Sequence, residues 1–375
     1  MKKKIAILTQ PLLLNYGGII QNYALQKVLK DLGHEPITIN RRYNKNNWLD
    51  LKIRLYHFLK NTGHIHADEK QLNLFFQNNL AFMKKHIRLS DKINSNKELK
   101  TFMNRNPFDV YIVGSDQTWR PKYSPNIYEY YLDFLEGKER NEKRIAYASS
   151  FGTDEWEYTM EETERVSELV KEFDAVSVRE KSGVDLCENY LNTKAEWVLD
   201  PTLLLNASDY IKDLDLGRNT TGENKLYTYV LDRSTEKLEF LDKISKDLKL
   251  DLANSQPMRK PHEFRKGSQL EDFINPPLEN WLAGFKNADF IITDSFHGTV
   301  FSILFQKPFI SLVNKERGAS RFESFLSALG LEHRMLYHTK GYNPQIAQEP
   351  IDYEKVNLKL EELRKKSFNF LKENI

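Results

Sequence analysis

The chain has 375 residues, 55 Lys+Arg against 53 Asp+Glu, and is 40% hydrophobic and 29% charged. That length suits about two domains of roughly 150 residues each, and the composition excludes intrinsic disorder, collagen-like repeats and an extended coiled coil. A net charge of +2 excludes the basic footprint of a duplex-binding protein, and one cysteine, Cys187, excludes an internal disulfide framework or a cysteine-rich zinc site.

A lone thiol fits a reducing compartment, and no run approaches the roughly 18 apolar residues of a membrane span. Met1-Lys2-Lys3-Lys4 followed by Ile5-Ala6-Ile7-Leu8 imitates a signal peptide, but no small-residue cleavage site follows and Asn15-Tyr16-Gly17-Gly18 interrupts the apolar run. The expectation is a first buried strand over 4–9 in a cytoplasmic protein. Ile19, Ile20, Tyr23, Leu25, Val28, Leu29 and Leu32 then form a helical stripe that stops at Gly33. A strand over 36–39 follows. Residues 48–88 read as two polar helices with interspersed aromatics, an insertion covering a sheet edge. Ser95-Asn96-Lys97-Glu98 fits a capping box, and 109–113 reads as a central strand ending in Gly114-Ser115-Asp116.

Strand and helix patterns keep alternating: strand 144–149, helix 159–172, strand 175–178, helix 181–191 and strand 196–199, stopped by Asp200-Pro201. The polar stretch 206–224 reads as a boundary. A second unit has strands at 225–231, 290–293 and 308–313, with helices over 235–248, after Ser295, and over 321–329. A last helix, about 352–373, lies outside the second sheet's pattern and is expected to cross back to the first unit. This alternation specifies an α/β protein of two Rossmann-like, doubly wound domains, divided here as 1–215, 216–350 and a C-terminal helix within 351–375. In such folds ligands gather beyond the carboxyl ends of the strands, so the residues just after each strand carry the functional reading.

The sharpest such segment is Thr293-Asp294-Ser295-Phe296-His297-Gly298. Ser295 is a good N-cap, the helix start favours an anion, and Gly298 would let a ligand approach the backbone. His297 can donate a hydrogen bond or move a proton there; equally, it could cap its own helix. Asn15, Gly17, Gly18 and Asn22 surround a similar strand-to-helix turn, without the dinucleotide G-x-G-x-x-G spacing. After the strand 109–113, Ser115, Asp116 and Trp119 combine hydrogen-bonding groups with an indole, which suits a sugar's mixed surface. Asp116 could orient or deprotonate a hydroxyl, or cap the next turn. Arg179 suits bidentate recognition of a carboxylate or phosphate, with a salt bridge to the adjacent helix as the alternative. Lys315, Arg317 and Arg321 form a basic cluster, and Asp200-Pro201 reads as a strand terminator. His64/His66 and Asp213/Asp215 lack metal-site partners, and no P-loop, G-x-S-x-G elbow or H-E-x-x-H occurs.

Taken together, Asn15-Tyr16-Gly17-Gly18 with Gln21-Asn22-Tyr23-Ala24-Leu25, Gly114-Ser115-Asp116-Gln117-Thr118-Trp119, Tyr147-Ala148-Ser149-Ser150-Phe151-Gly152, Val178-Arg179-Glu180, Asp200-Pro201-Thr202-Leu203-Leu204 and Asp294-Ser295-Phe296-His297-Gly298 resemble the polysaccharide pyruvyltransferase family over roughly 5–330. The resemblance implies a glycosyltransferase-B-like pair of domains. It also implies transfer of a pyruvyl group from phosphoenolpyruvate to a hexose hydroxyl pair, giving a cyclic ketal, with no metal or resident cofactor. The acceptors it implies are hexose units of capsule, exopolysaccharide or cell-wall glycans, often lipid-linked. The inserted segment 48–88 and the basic patches of this chain are the parts that could approach such an acceptor by peripheral contact at the inner membrane face.

Arg179 and His297 match donor-contacting positions, but characterised members carry an Arg two residues before the His, where this chain has Ser295. The donor side is then expected to comprise Arg179, Ser295, Phe296, His297, Gly298, Arg317 and Arg321. The acceptor side is expected to comprise Asn15, Gly17, Gly18, Asn22, Ser115 and Trp119. His297 is the first candidate acid or base and Asp116 the second. The alternatives are a nucleotide-sugar glycosyltransferase of similar fold and a non-catalytic glycan-binding homologue.

Overall fold

Apolar runs without alternation form strands here because both of their faces are covered: Val110–Val113, Phe290–Thr293 and Phe309–Leu312 are buried at every residue. The computed structural model describes residues 1–42, 67–137, 140–217, 224–314 and 318–375. The first sheet comprises β1 (Lys4–Leu8), β2 (Glu35–Thr38), β3 (Val110–Val113), β4 (Lys143–Ser149), β5 (Ala175–Val178) and β6 (Glu196–Trp197), in the order β2-β1-β3-β4-β5-β6. The second comprises β7 (Lys225–Tyr229), β8 (Asp251–Ala253), β9 (Phe290–Thr293), β10 (Phe309–Leu312) and β11 (Met335–Leu336), in the order β11-β10-β9-β7-β8. All the pairings are parallel. The doubly wound α/β class expected from the sequence is the class observed.

Both sheets reverse their strand order at the first strand, between β1 and β3 and between β7 and β9. An open α/β sheet has its natural crevice beyond the carboxyl ends at such a point. The two crevices face each other. Tyr16, from the helix Tyr16–Asp31 after β1, packs 5.5 Å from Trp281 and 6.4 Å from Tyr229 (ring centroids), both residues of the second lobe. One apolar cluster therefore runs through both sheets, and this aromatic contact fixes the distance between the crevices.

Some elements escaped the sequence pattern. Strands β8 and β11 span three and two residues, too few to show a period. The helix Leu278–Asn287 buries Leu278, Trp281, Leu282, Ala283, Gly284 and Phe285, so most of its surface is apolar and it presents no clean stripe. The polar stretch read as a boundary contains the helix Ala207–Asp213, anchored by the fully buried Tyr210. Of the expected insertion, 48–66 lies outside the described residues, as do His64 and His66. Its remainder forms the helices Glu69–Phe75 and Gln77–His86. These do more than cover an edge: Phe75 stacks 5.0 Å from Phe273, and the Asn78 amide donates to the Asn275 carbonyl, so the segment ties the two lobes together.

The helix Tyr353–Asn374 returns to the first lobe. Ser367 Oγ accepts from the Leu199 amide at 2.9 Å, Arg364 Nε donates to the Leu203 carbonyl at 2.6 Å, and Phe370 lies 6.2 Å from the Tyr147 ring. No helix among the described residues is long and apolar enough to cross a membrane. Because the Leu199 amide is buried beside the segment that carries Asp200, Ser367→Ala leaves a buried donor unsatisfied. It is expected to destabilise the protein by about 1–3 kcal/mol, read as a lower midpoint in urea denaturation.

Candidate functional site

The loops after β1, β3, β5 and β6 meet the start of the helix Phe296–Leu304 that follows β9. Both helices facing the crevice begin with a polar cap. Asn15 accepts from the Gly17 amide at 2.9 Å, and Ser295 Oγ accepts from the Gly298 amide at 3.4 Å. Their first turns touch, since a Cβ built on Gly17 would collide with the His297 ring at Nδ1, Cγ and Cε1. Glycine at 17 is thus required by the close approach of a residue from the other lobe. Two positive helix ends point into one small volume.

Between them lies a buried charge cluster. Arg179, at the end of β5, has a fully buried side chain; its Nη1 donates to Asp200 Oδ2 at 2.9 Å and its Nη2 pairs with Asp116 Oδ1 at 3.4 Å. The Asp200 carboxylate is held from three sides. Oδ1 accepts from the Thr202 amide (3.0 Å) and hydroxyl (2.6 Å), while Oδ2 also accepts from Ser115 Oγ at 3.2 Å. His297 Nε2 approaches the same Oδ2 from the second lobe, at 3.5 Å. Burial alone would push the Asp200 carboxyl up, but His297, then Arg179, hold it well below the usual carboxylate range. Burial would likewise lower Arg179, yet Asp200 and Asp116 raise it.

A second guanidinium completes the wall. Arg321, from the helix Ala319–Leu329, stands 5.8 Å from the centroid of the Phe296 ring, while Arg179 stands 5.1 Å from the same ring. Burial, then the nearby Arg179, push Arg321 down to about 10. Glu180 is fully buried: its Oε1 accepts from Ser150 Oγ and from the Phe151 and Gly152 amides, at 3.1, 2.7 and 3.1 Å. Burial pushes its carboxyl up, against the lowering pull of Arg179 and Arg321. Arg179 Nε, Glu180 Oε2 and His297 Nε2 are buried without a hydrogen bond. With Arg179 2% and His297 4% exposed, the lobes are shut over them.

The structure brings together Gly17, Gly18, Ser115, Asp116, Arg179, Phe296, His297 and Arg321, and Asn15 caps the helix bordering this group. Other sequence expectations are corrected. Trp119 is not a cleft residue: its indole is fully buried, stacks 4.9 Å from Tyr131, and donates to the Tyr130 carbonyl. Asn22 is spent on packing, its Oδ1 accepting from Thr38 Oγ1 at 2.9 Å. Ser295 is used as the cap. Gly298 does not open the backbone to a ligand, because a Cβ there would strike Thr293; it serves close helix–strand contact. Arg317 and Lys315 lie outside the described residues. Sequence reading missed Asp200, taken as a strand terminator, and Glu180. The available signal was position, since Asp200 also follows a strand of the same sheet.

The family model described as "Polysaccharide pyruvyl transferase" matches residues 15–316. No curated protein matches this chain. Among solved structures, the chain is similar to an S. aureus MnaA–UDP co-structure at 16% identity and a TM-score of 0.52, covering 96% of this chain and 91% of that one. It is similar to UDP-GlcNAc 2-epimerase from Methanocaldococcus jannaschii at 13% identity and a TM-score of 0.51, with 96% and 92% covered. Spinosyn forosaminyltransferase SpnP aligns at 11% identity and a TM-score of 0.50, with 97% and 95% covered. At these identities the likeness concerns the fold, two parallel α/β lobes in a glycosyltransferase-B arrangement. The matched segment contains Gly17, Asp116, Arg179, Asp200 and His297 of the cleft, with Arg321 just beyond it, and the chain belongs to the polysaccharide pyruvyl transferase family.

Proposed function

We propose that the protein transfers a pyruvyl group from phosphoenolpyruvate to two hydroxyls of a hexose unit in a polysaccharide precursor, forming a cyclic ketal. The observation that carries this reading is the buried wall of Arg179, Arg321 and His297 between two helix N-termini, with Arg179 Nε lacking a hydrogen bond. Donors of this kind, excluded from water, suit a small ligand carrying a phosphate and a carboxylate. Arg321 supplies a second guanidinium beside Phe296, in a chain whose Ser295 is committed to capping.

In this scheme the two arginines and the first-turn amides of Phe296–Leu304 hold the donor. One sugar hydroxyl adds to C2 of the enol while a proton adds to the methylene, which becomes the methyl group. The second hydroxyl displaces phosphate at C2 and closes the ring. Of the two hydroxyl protons, one is accounted for on the methyl carbon and the other leaves with hydrogen phosphate. His297 moves protons at the donor, and Asp116, beside Gly18, receives an acceptor hydroxyl. Asn15, Gly17, Gly18 and Ser115 line the acceptor side. Since the cluster is shut, donor entry requires the lobes to part and closure to expel water. The acceptor is a hexose-containing oligosaccharide, lipid-linked at the inner membrane face.

Phosphoenolpyruvate is expected to raise the melting temperature, with about 2.7 kcal/mol of stabilisation at a hundredfold excess over Kd. Protection by nucleotide sugars instead would favour glycosyl transfer. With an oligosaccharide acceptor, the wild-type protein should release phosphate, and His297→Ala should slow release by about 10²–10⁴-fold. Absence of release across hexose acceptors would favour the glycan-binding reading. Gly17→Ala should cut turnover sharply, at a folding cost of about 1–3 kcal/mol, because its methyl group displaces His297 and props the lobes apart.

A further inference from the structure

The pyruvyl-transfer reading leaves open which imidazole nitrogen exchanges the proton and what sets it. Asp200 answers both. We propose that Asp200 is a positioning residue that fixes His297 with Nε2–H toward its carboxylate, leaving Nδ1, on the Gly17 side, as the atom that exchanges the proton during transfer. The inference rests on the pyruvyl-transfer reading for the reaction, and on this cluster's geometry for the ring.

Asp200 cannot rotate freely. Thr202 pins Oδ1 through its amide and hydroxyl, at 3.0 and 2.6 Å, so Oδ2 must face Arg179 Nη1, Ser115 Oγ and His297 Nε2 at 2.9, 3.2 and 3.5 Å. The first two are donors, and an oxygen held this way can only accept from the third. The opposite edge of the ring faces the first turn of Tyr16–Asp31, since a Cβ on Gly17 would meet Nδ1 first. Asp116 Oδ2 lies 3.4 Å from a Cβ position on the adjacent Gly18, so the same helix turn borders both Nδ1 and the Asp116 carboxylate. The ring-closing hydroxyl transfers its proton to Nδ1 as its oxygen displaces phosphate at C2, and Nδ1 passes that proton to the departing phosphate, while the first hydroxyl's proton is the one accounted for on the methyl carbon.

The contact also couples proton handling to closure. Asp200 belongs to the first lobe and His297 to the second, so the carboxylate reaches the imidazole only when the lobes meet. A separation of 3.5 Å is long for a hydrogen bond, and such bonds in empty sites commonly tighten once substrate is held. Arg179 is tied to the same Oδ2, so one oxygen aligns the donor-binding cation and the proton carrier.

The test is the tautomer of neutral His297, read from two-bond 1H–15N correlations of the 15N-labelled, donor-free protein and assigned by loss of the signals in His297→Ala. The wild-type ring should be protonated at Nε2 and bare at Nδ1. In Asp200→Asn, Thr202 still donates twice to the Oδ1 position and keeps the amide oxygen there. The amide NH2 then points at Nε2 and forces the Nδ1–H form. The wrong tautomer should lower kcat by about 10²–10⁴-fold. An Nδ1–H ring in the wild-type protein overturns the proposal, as does an unchanged tautomer in a folded Asp200→Asn protein. Should that variant fail to fold, the wild-type spectrum alone decides. An Nε2–H ring in a wild-type protein that cannot turn over phosphoenolpyruvate supports the positioning and overturns the transfer reading.

Discussion

A guanidinium buried without a partner would cost the protein several kcal/mol, and Arg179 has a fully buried side chain. The carboxylate of Asp200, 2.9 Å away, makes that burial tolerable, and the architecture of the cleft follows from it. Asp200 needs Thr202 and Ser115 to satisfy its remaining lone pairs, which fixes the loops after β6 and β3 against each other. Its second oxygen, shared with Arg179 and Ser115, also meets His297 of the opposite lobe at 3.5 Å. Removing one member of such a cluster exposes the charges of the others to an apolar surround, so the group behaves as a unit.

The apolar framework sets the distances that this cluster requires. Tyr16, Tyr229 and Trp281 pack where the two sheets face each other, and Phe75 with Phe273 makes a second tie farther out. Phe296 offers its ring to both arginines, whose guanidiniums stand 5.1 and 5.8 Å from its centroid. The result is a buried cluster in which Arg179 and Arg321 face the carboxylates of Asp116, Asp200 and Glu180, and there hydrogen bonds and ion pairs are stronger than in water. A returning C-terminal helix closes the back of the first lobe and holds the chain just before Asp200 through Ser367.

Family membership and geometry support each other without overlapping. The match over residues 15–316 identifies what kind of transferase this chain resembles in sequence, while the solved structures it resembles share only the folding pattern. Ser295 caps its helix, and a guanidinium from a different helix, Arg321, stands beside the Phe296 ring, so charge at that wall is supplied by tertiary contact.

The alternation of buried strands and amphipathic helices was legible in the sequence, because periodicity is a local consequence of which faces meet water. So were Ser295 as a cap and the strand-end positions of Asp116, Arg179 and His297, since these depend on neighbours within a few residues. Trp119 could not be separated from a sugar platform by its type, and only its stack on Tyr131 decides for the core. Asp200 looked like punctuation before a proline, and Gly298 like an opening for a ligand. Their partners, Arg179, His297 and Thr293, are set by how strands pair and how lobes close, distances that no local pattern encodes.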